Sequence, residues 1–223
     1  MKQWEGYLRA FVEAGWPVTE VEPAPACPDS VFVEDTVVVY GDLAVIARSG
    51  AVERRRETEG TEKAVVEFGY RTTHIEAPGV LDGGDVLKHG DTVWVGQSQR
   101  TNADGIRQLA ELLAPFGAKV IAVPLTRALH LKSAVTALPD GTVIGYQPVV
   151  DDHSVFASFV AVPEATGAQV VLLGDDKVLM SSAAPRTAEL LRARGYEPVP
   201  VDIGEFEKLE GCVTCLSVRL RGI

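Results

Sequence analysis

The sequence repeats one grammar along its length: two short strand-forming runs around a tight turn, then a helix, then another strand. The turns fall near Gly41, Gly90, Asp140 and Asp175. Their intervals are uneven, so the repeat is one of structure and not of letters. Alternating strands and helices ordinarily specify a doubly wound parallel sheet. Hairpins pair antiparallel strands instead, and their recurrence argues against that fold. A cyclic array of small mixed-sheet modules fits better, with polar loops meeting at a central axis where a site can be assembled.

Within this grammar, Trp4, Tyr7, Leu8, Phe11 and Val12 recur at helical spacing, which predicts a helix over residues 2–14 ended by Gly15 and Pro17. Val18 to Val21 reads as a short strand. Ser30 to Ala47 reads as two strands around Gly41 and Asp42, with Val31 and Val33 in the first. The charged run 53–68 predicts a helix with Gly60 weakening its middle, followed by a strand at Arg71 to Glu76. The stretch GGDVLKHGDTVWVGQS is strand, turn, strand; Thr101 and Asn102 cap a helix to about Phe116, and KVIAVPL is the next strand. SAVTAL and TVIGY flank the turn Pro139-Asp140-Gly141, and 151–168 reads as short helix and loop. QVVLLG and KVLMSS form a further hairpin, PRTAELLRARGY a helix, EPVPVDI a strand, and VTCLSVRL a closing strand.

The 223 residues are 46% apolar and contain no charge-rich linker, which predicts a single domain over 1–223 with a sizeable core. Lys and Arg number 21 against 31 Asp and Glu, a formal charge of −10. That balance excludes a general nucleic-acid binder, which needs basic surface to release counterions, yet favours approach of a small cation. Three cysteines, Cys27, Cys212 and Cys215, are a poor disulfide framework. The N-terminus lacks a signal-peptide core, and no apolar run reaches the length of about 18 residues that a membrane span needs. A cytoplasmic protein is expected.

Several residues have the chemistry for a site, each with a plainer reading beside it. A cysteine on a strand, as Cys215 is read, is ordinarily a buried apolar filler; the chemical reading is a nucleophile. Cys212 makes a CVTC pair with it, the spacing of a metal knuckle or a redox pair, although a knuckle needs two more ligands. His130, in RALHLKSAV, is either a satisfied core histidine or an acid-base group beside a thiol. His74 and His89 read as surface or turn residues, and His153, in the DDHS loop, as either a binding residue or a helix cap. Asp29, Glu34 and Asp35 in DSVFVED, and Asp82 and Asp85 in LDGGD, form two acidic clusters. Turn chemistry accounts for Asp85 but less well for Glu34 and Asp35, which interrupt apolar runs; a guanidinium, with five donors, would satisfy such carboxylates. Arg54 and Arg100 either hold a carboxylate by forked bonds or are solvated surface arginines.

The stretches PDSVFVEDT, IARSGAVERR, IEAPGVLDGGD, QSQRTNADG, LHLKSAV and CVTCLSVRL occur in an order and at intervals that resemble the dimethylarginine dimethylaminohydrolase family over nearly the whole chain. The resemblance implies a pentein, a five-bladed α/β propeller of hairpin-helix-strand modules. It implies Cys215 as nucleophile, His130 as acid-base group and Asp82 as the carboxylate that orients it. It further implies Asp35 holding the guanidinium, Glu34 beside it as the other acidic substrate-binding residue, Asp29 in the pocket wall, and Arg54 and Arg100 at the substrate carboxylate. The activity implied is hydrolysis of asymmetric dimethylarginine or monomethylarginine to citrulline and dimethylamine or methylamine, through a covalent cysteine intermediate and without metal or cofactor. The implied partner is a small cationic guanidine amino acid, with neither nucleic acid nor membrane; a second copy of the chain is a further candidate.

In one respect the chain departs from the family pattern: KQWEGYLRAF matches the helix that follows the family's first strand and lid loop, so both are expected to be absent. That opens alternatives, namely an arginine deiminase-like hydrolase of another guanidine or an inactive methylarginine-binding relative. A zinc-stabilised structural protein rests only on the CVTC pair.

Overall fold

A computed structural model of the chain describes residues 2–220. It is a mixed α/β structure whose described residues form four separate, open three-stranded sheets. The helices in chain order are α1 (Lys2–Glu13), α2 (Thr58–Glu67), α3 (Ala103–Leu113), α4 (Leu131–Ala134), α5 (Pro185–Ala193) and α6 (Gly204–Glu207). The chain divides into two compact units, one of residues 21–132 with the segment from Cys215, the other of the N-terminal residues to Glu20 with Ser133–Thr214.

The first unit holds two copies of the expected module. β1 (Val37–Tyr40) and β2 (Leu43–Ile46) pair antiparallel, and β3 (Arg71–His74) joins β2 in parallel after α2. β4 (Val86–His89), β5 (Thr92–Gln97) and β6 (Lys119–Pro124) repeat this with α3 as the crossover. Parallel neighbours need such a crossover, whereas antiparallel ones need only two residues. The registers Tyr40↔Leu43 and His89↔Thr92 leave two-residue turns, and Gly41 and Gly90 take φ +57 there, a left-handed backbone that side chains resist. Asn102 caps α3 as expected, accepting from the Gly105 amide at 2.8 Å. The helix then turns Ile106, Leu109 and Leu113 inward, against a core that includes Leu81, Val86, Val93 and Val95.

The second unit uses the same plan. β7 (Val135–Ala137), β8 (Val143–Gly145) and β9 (Phe159–Ala161) form one sheet; β10 (Val170–Gly174), β11 (Lys177–Ser181) and β12 (Glu197–Val201) form the other, with α5 crossing between β11 and β12. Leu138, Ile144, Val178, Met180 and Leu191 are buried in its core. α1 buries Tyr7, Ala10 and Phe11, and the Tyr7 hydroxyl donates to the Val213 carbonyl at 2.8 Å.

Five expectations fail locally. Val18–Val21 is not a strand. Val31 and Val33 lie in turns, because the chain there bends into a 3-10 turn over Val33–Thr36. The expected helix over 53–68 begins as a 3-10 turn, Val52–Glu57, and becomes α-helical only at Thr58. The stretch read as helix and loop contains strand β9. VTCLSVRL is a turn over residues 213–216 followed by irregular chain. Strand-forming side chains favour a sheet only where a neighbouring strand offers partners, and the Cys215 carbonyl is instead taken by the Glu34 amide at 3.1 Å. No helix among the described residues is long and apolar enough to cross a membrane.

Leu109 is fully buried under both sheets of the first unit. Leu109→Ala is expected to lower unfolding free energy by about 2–5 kcal/mol through the cavity it leaves, measured by denaturant titration followed by circular dichroism.

Candidate functional site

The predicted site residues all lie in the first unit. The Val33–Thr36 turn, just ahead of β1, buries Glu34 and Asp35. It is held by the Asp35 amide on the Phe32 carbonyl and by the Thr36 hydroxyl on the Val33 carbonyl. Asp35 is the hub. Its Oδ2 accepts from Arg54 Nη1 at 2.6 Å, its Oδ1 accepts from the Gly84 amide at 3.0 Å, and the same Oδ1 lies 3.7 Å from His130 Nδ1. On the other edge of the ring, His130 Nε2 is 3.1 Å from Asp82 Oδ2. Asp82, wholly buried, also contacts the Gly50 amide at 3.3 Å and Arg100 Nη1 at 3.4 Å.

The LDGGD glycines are required by this packing. A Cβ on Gly84 would lie 2.5 Å from Asp35 Oδ1 and 2.9 Å from the His130 ring, and one on Gly83 would lie 2.1 Å from the Glu34 carbonyl. Asp85 does more than make a turn. It accepts from the Leu131 amide at 2.9 Å and from Ser98 Oγ at 2.8 Å, which anchors the start of α4 beside His130. That anchorage explains a buried carboxylate that sequence reading assigned to turn chemistry.

The structure gives Arg54 a different setting from the solvated run around it. The 3-10 turn of Val52–Glu57 points it inward, where its side chain is 6% exposed. Glu57 Oε2 accepts from Arg54 Nε at 3.0 Å and from Nη2 at 2.7 Å, and the Asp29 and Phe32 carbonyls also accept from Nη2. Most of its fork is therefore spent inside the protein. The Arg100 side chain remains 22% exposed. Asp29 is half-buried and meets Arg54 through its backbone carbonyl.

Glu57 and Lys132 were not predicted. Lys132 Nζ donates to Glu34 Oε1 at 2.7 Å, while Glu34 Oε2 is buried without a hydrogen-bond partner. A buried acceptor in that condition costs about 1–3 kcal/mol. Glu57 hides in a run of exposed charges, and Lys132 carries the ordinary signature of a surface lysine. The one available signal for each was a charge close in sequence to a candidate site residue.

Cys215 is buried, 7% exposed, in the turn over 213–216, and its carbonyl ties it to the Glu34 turn. Cys212 is also buried, with its Sγ 3.2 Å from Thr214 Oγ1. Of the other histidines, His74 pairs with Glu62 at 3.0 Å and His153 stacks on Phe159. One ligand atom from each of Asp35, Asp82 and His130 lies within 4.8 Å of the others, a spacing that can converge on a cation. In this arrangement, Asp35 accepts from Arg54 and the Gly84 amide, and Asp82 meets His130.

These contacts shift the ionisation of the cluster. Burial is the largest influence on His130 and by itself would lower its pKa; Asp35, Asp82 and Asp85 together outweigh it and push the imidazole up to about 9. Burial likewise opposes the charge on Asp35, but His130, Arg54 and Lys132 hold its carboxyl below the usual range. For Asp85, burial prevails and raises it, against His130 and its hydrogen bonds. Burial also raises Glu57 despite Arg54. The acidic neighbours thus favour the protonated form of the His130 imidazole.

A family model described as arginine deiminase matches residues 19–171, which places the chain in the class of arginine deiminase-like proteins. A dimethylarginine dimethylaminohydrolase of Streptomyces coelicolor is 59% identical over 99% of this chain and 86% of its own. A crystal structure of a dimethylarginine dimethylaminohydrolase with an S-methyl-L-thiocitrulline adduct superposes with a TM-score of 0.91 at 34% identity, covering 98% of this chain and 87% of its own. The Pseudomonas aeruginosa enzyme, as a variant complexed with citrulline, gives the same TM-score and coverage. The chain belongs to the dimethylarginine dimethylaminohydrolase family.

Measurable outcomes follow from this packing and charge arrangement. The His130 ring should titrate near pH 9 by ¹⁵N-detected NMR, and Asp82→Asn should move that midpoint down by removing a negative neighbour. Because the folded value lies above the ordinary 6.5, the associated stability is full below about pH 6.5 and is lost as pH rises through about 9. Gly84→Ala should cost about 1–3 kcal/mol of unfolding free energy as Asp35 and His130 are forced apart, measurable by thermal melting.

Proposed function

We propose that the chain hydrolyses asymmetric dimethylarginine or monomethylarginine to citrulline and dimethylamine or methylamine, with Cys215 as nucleophile. The observation that carries this reading is the buried Asp35–His130–Asp82 group, in the same unit as Cys215 and tied to it through the Glu34 turn. Asp35 binds the substrate guanidinium and holds it planar, with Glu34 and Asp29 adding negative potential. The Cys215 thiolate attacks the guanidino carbon. The carbon–nitrogen bond to the methylated amine breaks as His130 supplies the proton, leaving a thiouronium on sulfur. His130, now neutral, takes a proton from water; the hydroxide adds to the same carbon, the carbon–sulfur bond breaks to restore the Cys215 thiolate, the hydroxyl proton passes through solvent to the released amine, and citrulline leaves. The balance is methylated arginine and water to citrulline and a protonated amine.

The raised pKa of His130 fits this order, since it begins as the acid. Asp82 on Nε2 leaves Nδ1 to exchange the proton. Arg100, with its open side, holds the substrate carboxylate. Arg54 serves chiefly as counter-ion to Asp35 and Glu57 and keeps one Nη1 hydrogen for substrate. These side chains supply every step, without metal or cofactor.

The same reading takes the sheets as blades of a five-bladed pentein propeller and residues 1–223 as one catalytic domain. Supporting it are matches that run through both units, over 98% and 99% of the chain. A cytoplasmic setting fits three buried thiols at Cys27, Cys212 and Cys215. A second reading, hydrolysis of unmethylated arginine, is favoured by the arginine deiminase description of the matching family model.

Purified protein given asymmetric dimethylarginine, monomethylarginine and arginine separately should release citrulline and the matching amine from the two methylated substrates. Cys215→Ala should abolish turnover, and His130→Gln should lower kcat by about 10²–10⁴-fold. Citrulline from arginine alone would select the second reading. Undiminished turnover by the Cys215→Ala protein would overturn both.

A further inference from the structure

The Lys132–Glu34 pair is not accounted for by the roles above. Lys132 follows His130 by two residues, on the short α4 segment whose first amide is held by Asp85. Its ammonium donates to Glu34 Oε1 at 2.7 Å, with the two side chains 16% and 9% exposed. The second oxygen of Glu34 is buried with no donor, and the Glu34 amide holds the Cys215 carbonyl at 3.1 Å. The Glu34 carboxylate, on a residue whose backbone amide is bonded to Cys215, is thus half-occupied by a resident cation.

We infer that Lys132 is a specificity-determining residue that masks Glu34 and so makes the site tolerant of methyl groups on a guanidinium. This rests on the proposed activity. The chemistry is a count of donors. The guanidinium of arginine carries five N–H bonds; that of asymmetric dimethylarginine carries three and has one terminal nitrogen with none. Asp35 and Glu34 together present four oxygens, but Asp35 already accepts from Arg54 and Gly84, and Glu34 accepts from Lys132. The demand left for the substrate is small, so a dimethylated nitrogen leaves few acceptors unmet. Without Lys132, Glu34 would have two buried oxygens and no donor, a site that rejects a ligand unable to supply the bond. A lysine suits this role because it is a compact charge with several donors on a flexible stem.

The test measures binding of asymmetric dimethylarginine and of arginine by calorimetry, to the full chain carrying Cys215→Ala, alone and combined with Lys132→Met or Lys132→Arg. The quantity read is the ratio of the two dissociation constants within each protein, which is insensitive to the fraction folded. Lys132→Met should shift that ratio at least tenfold toward arginine, and Lys132→Arg should leave it within threefold. A ratio within threefold for Lys132→Met, or a shift toward the methylated ligand, overturns the inference while leaving the proposed activity standing. Loss of both ligands in the Lys132→Met protein also overturns it, because arginine binding must survive. Failure of the Cys215→Ala protein to bind either ligand, with no turnover by the wild-type chain, removes the proposed activity and this inference with it.

Discussion

The buried carboxylate of Asp35 is the interaction on which the site depends. An ionised group away from water is stable only with close partners of opposite charge and with its lone pairs taken up. Asp35 has Arg54 on one oxygen and the Gly84 amide on the other, with the His130 ring close to the second. From this hub the charges alternate outward: Glu57, Arg54, Asp35, His130, Asp82, Arg100. Removing an interior member takes one opposite charge from each of its two neighbours, so the members are energetically linked. The same alternation sets the chemistry, because carboxylates on both edges of the ring keep a proton on His130 that burial alone would expel.

The backbone serves this arrangement at close range. Gly83 and Gly84 let one loop press against the Glu34–Asp35 turn and the histidine, where any side chain would collide. The short 3-10 turn before α2 makes one arginine of the ERRRE run face inward while Arg56 stays exposed. Asp85 accepts the first amide of α4 and so determines where both His130 and Lys132 begin. Each device comes from a loop at the end of a small sheet. A hairpin-helix-strand module is rigid where its strands pair and free in sequence where its loops leave, which lets loops distant in sequence deliver side chains to one place.

Much of the plan was legible. The hairpin turns near Gly41, Gly90, Asp140 and Asp175, the cap at Asn102 and the inward face of α3 all follow from local rules, because turn geometry and helix capping are decided within a few residues. The residues Asp35, Asp82 and His130 were marked by their chemistry and motif, and the structure brings them together. Less legible was which side each charge would face. Glu57 and Lys132 look like surface residues, Asp85 like a turn residue and Arg54 like a solvated one, and all four are enclosed or paired inside. VTCLSVRL has the composition of a strand, yet lies in a turn and irregular chain because a loop amide, and not a strand, meets its backbone.

By itself the sequence determined the repeating modules, the family and the side chains with reactive chemistry, since these depend on local backbone preference and on residue type. Only the tertiary structure decided that Arg54 neutralises Asp35, that Lys132 occupies half of Glu34, and that His130 stands between two carboxylates. Those are pairings between residues up to 98 positions apart. Their strength depends on how much water the surrounding fold excludes, a quantity that no stretch of sequence carries on its own.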